Sequence, residues 1–371
     1  MFPIKRSLRP RISVVAAARP NFMKVGPVIR ALRGQAEVEL VHTGQHYDDQ
    51  MYRTFFRELE LPEPDLDLGV GSGSHAEQTA GVMTAYERHL LETRPDAVIV
   101  VGDVNSTVAC AIAAVKMQIP VAHVEAGLRS RDWGMPEEVN RLLTDRVSRW
   151  LFTPSSDGDE NLLAEGVPPD WIHLVGNVMI DTLLRHVDAA RYRAESVRDR
   201  LGLSERFGIV TLHRPSNVDE ANSLQGLVDA IASIDPAMDL IFPTHPRTRA
   251  RLSEFGVTLP RSFRPADPLG YLDFVGLMAT SQLIMTDSGG VQEETSVLGV
   301  PCLTLRRNTE RPITCELGTN VLVGTHPQDI VAAGQTALST DHSPSEIPLW
   351  DGKAGDRIAR VLMSDMQGGS Q

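Results

Sequence analysis

Short apolar runs alternate with longer amphipathic stretches along nearly the whole length of this 371-residue chain. The runs are apolar at almost every position, whereas a strand with one face in water would be apolar at every second position. Continuous runs of this kind are typical of parallel strands that helices cover on both faces. The alternation therefore predicts repeated strand–helix–strand units and an α/β fold. In the first half of the chain the runs are residues 12–18, 38–43, 97–101, 121–125, 150–153 and 172–175.

The second half of the chain repeats this scheme, with apolar runs at 208–212, 240–243, 283–286, 302–305 and 321–323. The chain is longer than the roughly 100 to 200 residues of one ordinary domain. We therefore expect two doubly wound, Rossmann-like domains that face a cleft, with a boundary near Gly176-Asn177. The expected limits are 1–176 for the N-terminal domain and 177–350 for the C-terminal domain. Residues 351–371 are expected to form a helix that packs back on the N-terminal domain, followed by a frayed tail.

Charge and cysteine content exclude several classes of function. The formal net charge of −12 argues against a nucleic-acid partner, because proteins that bind nucleic acids usually present a basic face. No segment approaches the ~20 apolar residues of a membrane span, so no membrane partner is expected. The three cysteines form no CxxC pair, which predicts no zinc cluster and a cytoplasmic location. His46 and two nearby aspartates share one loop and are interpreted as polar turn contacts, so no metal is expected.

The segment TDSGG at 286–290 joins a predicted strand to a helical stretch. A strand that enters a helix through a turn of small residues leaves backbone N–H groups and the positive end of the helix dipole facing one point. Phosphate oxygens suit that point, since glycine allows close approach and the Ser288 hydroxyl adds a donor. Glu294, about one turn into the helix, is a candidate for contact with ribose hydroxyls. The alternative interpretation is a helix cap with tight-turn glycines and no ligand.

Basic side chains follow several of the predicted strands. Arg19 and Lys24 come directly after the first run, His213 comes after the run at 208–212, and Arg311 follows the run at 302–305. Ligands of doubly wound sheets bind beyond the carboxyl ends of the strands, where such groups would meet an anion. The alternative interpretation makes these residues surface charges and a structural histidine.

Three carboxylates lie at strand or helix ends of the predicted N-terminal domain: Asp103, Glu125 and Glu137. Each has a structural explanation, because Asp103 suits a helix N-cap and an acidic residue in the first turn favours the helix dipole. Carboxylates grouped at one edge of a sheet can also exchange protons in general acid and base steps. The sequence leaves both explanations open.

In their order and spacing these segments resemble the non-hydrolysing UDP-N-acetylglucosamine 2-epimerases, a family with the GT-B fold. The resemblance extends from the Arg19 segment to the Arg311 segment. It implies a UDP-sugar substrate, a homodimer, and a candidate regulatory role for Gln45 and His46 in the TGQH loop. It implies catalytic roles for Asp103, Glu125, Glu137 and His213, and substrate binding by Arg19, Lys24, Arg141, Leu269, Phe274, Ser288, Gly289, Gly290, Glu294 and Arg311.

Two motifs depart from the family pattern. The common GTRPE start reads AARPN at 17–21, and the HRREN motif reads HRPSN at 213–217. The basic residue that follows Arg214 in the family is therefore absent here. The sugar could also differ, for instance as a modified relative of N-acetylglucosamine.

The resemblance implies a reaction that begins with departure of UDP, because the C2 hydrogen of a pyranose has no adjacent carbonyl to acidify it. Loss of the C2 proton would then give 2-acetamidoglucal, and return of UDP with protonation of the opposite face would give the manno epimer. The net redox change is zero, so NAD is unnecessary and no cofactor is expected. The alternatives are a hydrolysing epimerase, a GT-B glycosyltransferase and a sugar-nucleotide sensor without catalytic activity.

Overall fold

The structure is a computed structural model that describes residues 9–17, 19–44 and 55–368, with the backbone but not the side chains of Arg19 and Pro20. The chain divides into two compact units. The first extends to Thr182 and also takes in the chain from Pro348 onward, and the second is Leu183–Ile347. The sequence-based limits, 1–176, 177–350 and 351–371, remain a prediction of domain boundaries.

Each unit alternates strands with helices, and the elements are numbered in chain order. The strands are β1 Arg11–Ala16, β2 Glu37–His42, β3 Leu66–Asp67, β4 Ala97–Val101, β5 Val121–Val124, β6 Trp150–Thr153, β7 Ile172–Leu174, β8 Phe207–Thr211, β9 Asp239–Pro243, β10 Phe263–Ala266, β11 Leu283–Thr286, β12 Cys302–Thr304 and β13 Asn320–Leu322. The helices are α1 Arg19–Leu32, α2 His75–Thr93, α3 Asn105–Lys116, α4 Pro136–Val147, α5 Ser156–Ala164, α6 Val178–Arg200, α7 Pro215–Val218, α8 Ala221–Ile234, α9 Pro246–Glu254, α10 Tyr271–Met278, α11 Gly289–Leu298, α12 Ile313–Glu316, α13 Pro327–Ser339 and α14 Ala354–Gly368.

The first unit is built on a seven-stranded sheet in the order β3-β2-β1-β4-β5-β6-β7, and the second on a six-stranded sheet in the order β10-β9-β8-β11-β12-β13. All neighbouring strands within these sheets are parallel. In both sheets the strand order reverses beside the first strand of the unit, which is the doubly wound arrangement. The predicted α/β class with two Rossmann-like sheets is confirmed.

A strand forms at every apolar run that the sequence analysis identified. β4 illustrates the cause, because its sequence AVIVV is mostly β-branched and all five residues are buried. Such side chains pack well on a pleated surface covered from both sides. The sequence analysis missed β3 and β10, which are the two edge strands next to β2 and β9. β3 has only two residues, and β10 contains Pro265, which an edge strand tolerates.

The C-terminal helix α14 belongs to the first unit. The Asp181 carboxylate accepts hydrogen bonds from the backbone N–H groups of Ala354 and Gly355, at 3.0 and 2.8 Å, and so caps this helix. A Cβ atom on Gly355 would lie 2.8 Å from the carbonyl oxygen of Pro27, so glycine lets α14 pack closely against α1. In the described parts of the chain, no helix combines the length and apolar character needed to cross a membrane.

Close packing of α10 against α6 in the second unit should make Gly276→Ala destabilising. The new Cβ would lie 2.4 Å from the carbonyl oxygen of Ala190, a backbone atom that cannot rotate away. We expect the free energy of unfolding to fall by about 1–3 kcal/mol in guanidinium denaturation followed by circular dichroism.

Gly226→Ala on α8 is the matched control, because a Cβ there meets nothing within 4 Å. This variant should be stabilised by about 0.5–1 kcal/mol, since alanine favours a helix over glycine. Equal stability of the two variants would contradict the packing argument.

Candidate active site

Several of the predicted site residues lie at the points where each sheet reverses its strand order. In the first unit this point is between the carboxyl ends of β1 and β4, which are followed by Arg19 and Asp103. In the second unit it is between β8 and β11, which are followed by His213 and Ser288. Open doubly wound sheets bind ligands at this position, because the loops diverge there and leave a crevice. Each unit therefore has its own candidate subsite.

Lys24 and Glu125 form a buried ion pair in the first unit. The Lys24 Nζ lies 2.5 Å from the Glu125 Oε2, and the two side chains are 8% and 3% exposed. Glu125 has a left-handed backbone with φ of 67°, a strained conformation for a non-glycine residue that is often found at functional sites. Its Oε1 has no hydrogen-bond partner among the described residues, although it is buried. A buried acceptor in this state is suited to receive a proton or a hydrogen bond from a ligand.

Arg141 holds Asp103 on one side and Glu138 on the other. Its Nη2 and Nε lie 2.6 and 3.0 Å from the Asp103 Oδ2, and its Nη1 lies 2.6 Å from the Glu138 Oε2. Burial tends to raise the pKa of Glu138, but N–H groups of Ser130 and Arg131 and the Arg141 guanidinium hold that pKa below its ordinary value. Arg141, predicted as a substrate ligand, thus orients the Asp103 carboxylate, which remains 27% exposed.

The remaining predicted residues of the first unit are described less fully. Glu137 is half-buried in the first turn of α4, where the helix dipole favours its charge. Arg19 is the first residue of α1, immediately beyond β1, but its side chain is not described. Gln45 and His46 lie outside the described residues.

In the second unit, Ser288 is the N-cap residue of α11, yet its side chain makes no capping hydrogen bond within the described structure. Its backbone N–H donates to the Thr286 Oγ1 at 3.0 Å. The Thr286 hydroxyl is also 2.5 Å from the Thr211 hydroxyl on the paired strand β8. Ser288 therefore occupies the cap position without using its hydroxyl as a cap, and the hydroxyl is suited to a ligand.

Asp287 is fully buried and ties the end of β8 to the end of β11. Its carboxylate accepts hydrogen bonds from the backbone N–H groups of His213 and Arg214 and from the Asn217 side chain, at 2.9 to 3.1 Å for the Oδ2. The His213 Nδ1 lies 2.8 Å from the Oδ1. Burial favours a raised pKa for Asp287, but these hydrogen bonds and His213 hold it below its ordinary value. An ionised Asp287 thus orients the His213 ring, which is 45% exposed.

The side chain of Arg311, which follows α11 in the chain, lies close to Gly289 at the N-terminus of that helix. A Cβ on Gly289 would be 2.7 Å from the Arg311 Nη1 and 2.8 Å from the Glu310 Oε1, so a larger residue would displace these side chains. The guanidinium is held by Glu293 at 2.6 Å and by Glu310 at 2.8 Å. The structure therefore brings together the predicted guanidinium and the predicted helix terminus, a combination suited to an anion.

Glu294 lies on the buried side of α11, where its Oε1 accepts a hydrogen bond from the Tyr271 hydroxyl at 3.1 Å. Burial raises the pKa of Glu294 to about 8, with the nearby Glu293 adding to the effect and the Tyr271 bond opposing it. Tyr271 begins α10, which also carries Phe274, and Leu269 lies two residues earlier. Phe274 and Leu269 are both half-buried.

Sequence reasoning missed three residues that organise these subsites: Glu138, Tyr271 and Asp287. Glu138 and Asp287 were visible within the motifs but carried no assigned role. Tyr271 lies in an apolar helix and reads as an ordinary core aromatic. One signal could have identified them. A polar residue at a position that the helical or strand pattern predicts to be buried needs a hydrogen-bond partner.

Two all-parallel, doubly wound sheets, each with candidate residues at its switch point, are the arrangement of proteins with the GT-B fold. A family model described as UDP-N-acetylglucosamine 2-epimerase matches residues 30–363. The UDP-N-acetylglucosamine 2-epimerase of Methanocaldococcus jannaschii is 42% identical over 95% of this chain and 98% of its own. Its crystal structure in complex with UDP-GlcNAc and UDP has a TM-score of 0.89, covering 95% and 99% of the two chains.

A Pseudomonas aeruginosa relative, UDP-2,3-diacetamido-2,3-dideoxy-D-glucuronate 2-epimerase, is 38% identical over 95% of this chain and 99% of its own. The chain therefore belongs to the UDP-N-acetylglucosamine 2-epimerase family and is an isomerase of the epimerase type. The family and the enzyme class predicted from the sequence are confirmed.

The raised pKa of Glu294 predicts a pH-dependent stability. Below about pH 4.5 this carboxyl is protonated in both the folded and the unfolded chain and contributes nothing. Between about 4.5 and 8 the unfolded chain releases the proton that the folded chain retains, so the free energy of unfolding falls as the pH rises.

Denaturation measures the fall in the free energy of unfolding between pH 5.5 and 8.5. In Glu294→Gln this fall should be about 1–3 kcal/mol smaller than in the parent protein. Glu205→Gln, at an exposed position in the same unit, is the control and should leave the slope unchanged. A Glu294→Gln slope equal to the parent's would contradict the buried neutral carboxyl.

Proposed function

We propose that this chain interconverts UDP-N-acetylglucosamine and UDP-N-acetylmannosamine without net hydrolysis. The observation that carries the proposal is the family match over 30–363 together with candidate residues at both switch points. The relative from Methanocaldococcus jannaschii supports the same substrate, because its crystal structure contains UDP-GlcNAc and UDP.

In this proposal the second unit holds UDP. The N-terminus of α11 and the Arg311 guanidinium bind the diphosphate, with the Ser288 hydroxyl and the glycines beside it as further donors. His213, oriented by Asp287, contacts the phosphate oxygen that leaves C1 and stabilises the negative charge that develops on it. Glu294, neutral near pH 7 because its pKa is about 8, can donate as well as accept a hydrogen bond at the ribose.

The first unit supplies the proton transfers. Departure of UDP develops positive charge at C1, and this makes the C2 proton removable. Asp103, Glu125 and Glu137 divide the roles of base and acid, with Glu125 paired to Lys24 and Asp103 to Arg141. Removal of the C2 proton gives the glycal, and protonation of its opposite face with return of UDP gives the other epimer.

Turnover in D₂O should place deuterium at C2 of both epimers, because the carboxylate that takes the proton exchanges it with solvent. Proton NMR of UDP-N-acetylglucosamine incubated with the enzyme measures this directly. Turnover without deuterium uptake would falsify the elimination mechanism, and release of UDP equimolar with free N-acetylmannosamine would indicate a hydrolysing epimerase.

Two variants separate binding from chemistry. Asp103→Asn keeps the shape beside Arg141 and should lower deuterium exchange by about 100-fold or more, with UDP affinity within about twofold of the parent. Ser288→Ala should instead weaken UDP binding by about fivefold, measured by calorimetry, because one hydrogen bond to phosphate is lost. Equal loss of affinity in both variants would contradict the assigned division of roles.

The second candidate function is epimerisation of a modified UDP-sugar. It is supported by the Pseudomonas aeruginosa relative, which is named UDP-2,3-diacetamido-2,3-dideoxy-D-glucuronate 2-epimerase. Both sugars present the same UDP group and a C2 acetamido group, so the same elimination chemistry applies. Parallel incubations with each nucleotide sugar, compared by kcat/KM, distinguish the two substrates.

We also propose a cytoplasmic homodimer. The helix α4 exposes Val139 and Leu143 one turn apart, 36% and 47% exposed, and Trp133 just before it is 74% exposed. Exposed apolar side chains grouped in this way favour a protein–protein contact.

Leu143→Asp should convert the dimer to a monomer in analytical ultracentrifugation, because a charge in an apolar contact is costly. Leu163→Asp, at a leucine 49% exposed on α5, is the control and should leave the dimer intact. A monomeric parent protein at micromolar concentration would contradict the proposal.

A further inference from the structure

His123 lies in the middle of β5 with no exposed surface, and both of its ring nitrogens have partners. The Nδ1 lies 2.6 Å from the Asp145 Oδ1, and the Nε2 lies 2.8 Å from the carbonyl oxygen of Gly102. We propose that His123, with a proton on each ring nitrogen, positions the loops carrying Asp103 and Glu125. It is a positioning residue for the proton transfers of the proposed function, on which this part of the inference depends.

The partners of the ring dictate its protonation. A carbonyl oxygen only accepts hydrogen bonds, so the Nε2 must carry a proton. An ionised carboxylate likewise only accepts, so the Nδ1 must carry one as well. A neutral imidazole would place one lone pair against a buried acceptor, with no exposed surface on the ring to admit water.

Asp145 is held in its ionised form by its other contacts. Its Oδ2 accepts a hydrogen bond from the Arg129 Nη1 at 2.7 Å and from the backbone N–H of Gly127 at 3.1 Å. Asp145 therefore acts as an acceptor toward both cations.

The charges around the ring balance. Arg129 also forms a double hydrogen bond to Glu165, with Nε and Nη2 both 2.8 Å from the carboxylate oxygens. Two cations, His123 and Arg129, thus alternate with two anions, Asp145 and Glu165. A buried charge is tolerated when it is paired and hydrogen-bonded in this way.

The network fixes the two turns that carry the candidate acid and base groups. Gly102, with φ of 66°, directly precedes Asp103, and its N–H donates to the Val124 carbonyl oxygen at 3.0 Å. The bond from His123 holds the Gly102 carbonyl, which belongs to the next peptide group, the one that joins Gly102 to Asp103. Gly127, whose N–H binds Asp145, lies two residues after Glu125. One imidazolium–carboxylate pair therefore sets the positions of both turns.

The protonation state can be read directly from the full-length protein. In ¹⁵N-histidine-labelled, deuterated protein at pH 7, both ring nitrogens of His123 should show bonded protons. The spectrum of His123→Gln identifies the signals among the eleven histidines. A single protonated nitrogen at pH 7 overturns the proposal, whether or not the enzyme turns over a sugar nucleotide.

The positioning role is tested by His123→Gln. We expect kcat for C2 deuterium exchange to fall by about 100-fold, because a displacement of about 1 Å at a catalytic group costs that much. KM and UDP affinity should stay within about twofold of the parent values. If UDP affinity and thermal stability fall together with kcat, His123 is a merely structural histidine and the positioning role is overturned.

His173→Gln is the matched control. His173 is a partly buried histidine on β7 of the same sheet, and its Nε2 has no hydrogen-bond partner within the described residues. This variant should keep the parent kcat. If the parent shows no exchange with any UDP-sugar, the proposed function fails, whereas the ¹⁵N spectrum still decides the imidazolium.

Discussion

The parallel pairing of β4 with β5 is the constraint on which the candidate subsite of the first unit depends. Val98 to Val101 lie beside Val121 to Val124 in register, so the loops after the two strands begin at the same level of the sheet. The backbone hydrogen bonds between β4 and β5 carry Asp103 and Glu125 to the same edge of the sheet. Side chains then refine their placement, through Lys24 for Glu125 and Arg141 for Asp103.

In the second unit, a buried carboxylate holds the loop after one strand next to the neighbouring strand. There the ends of β8 and β11 are joined by Asp287, whose carboxylate collects N–H groups from the loop that follows β8. The proposed imidazolium of the first unit donates to a carbonyl of the neighbouring loop, whereas Asp287 accepts from N–H groups. In both cases a buried charge satisfies backbone groups that the strand ladder leaves open.

The sequence predicted the fold well because continuous apolar runs arise directly from burial on both faces of a parallel sheet. It failed for β3 and β10, since an edge strand is short or partly exposed and need not be apolar. For the candidate site, the sequence indicated positions at strand ends but not the partners of the side chains there. Lys24 and Glu125 are separated by 101 residues, and no local pattern announces such a pair.

His123 shows the limit most clearly. A histidine inside an apolar run reads as a satisfied core residue, and its relation to Asp145, 22 residues later on α4, depends on how the helix packs on the sheet. Only tertiary packing determines which acceptors face the two ring nitrogens.

Asp145 and Asp287 hold the loops at strand ends in place, and this limits which amino-acid substitutions the protein tolerates. An apolar residue of β4 can be exchanged for another of similar volume, because neighbouring side chains repack around it. Neither aspartate has a substitute of that kind, since its loss leaves several N–H donors without their acceptor. A saturation-mutagenesis map of this protein would accordingly be most restrictive at a few interior polar positions, and more permissive across the hydrophobic centre of each sheet.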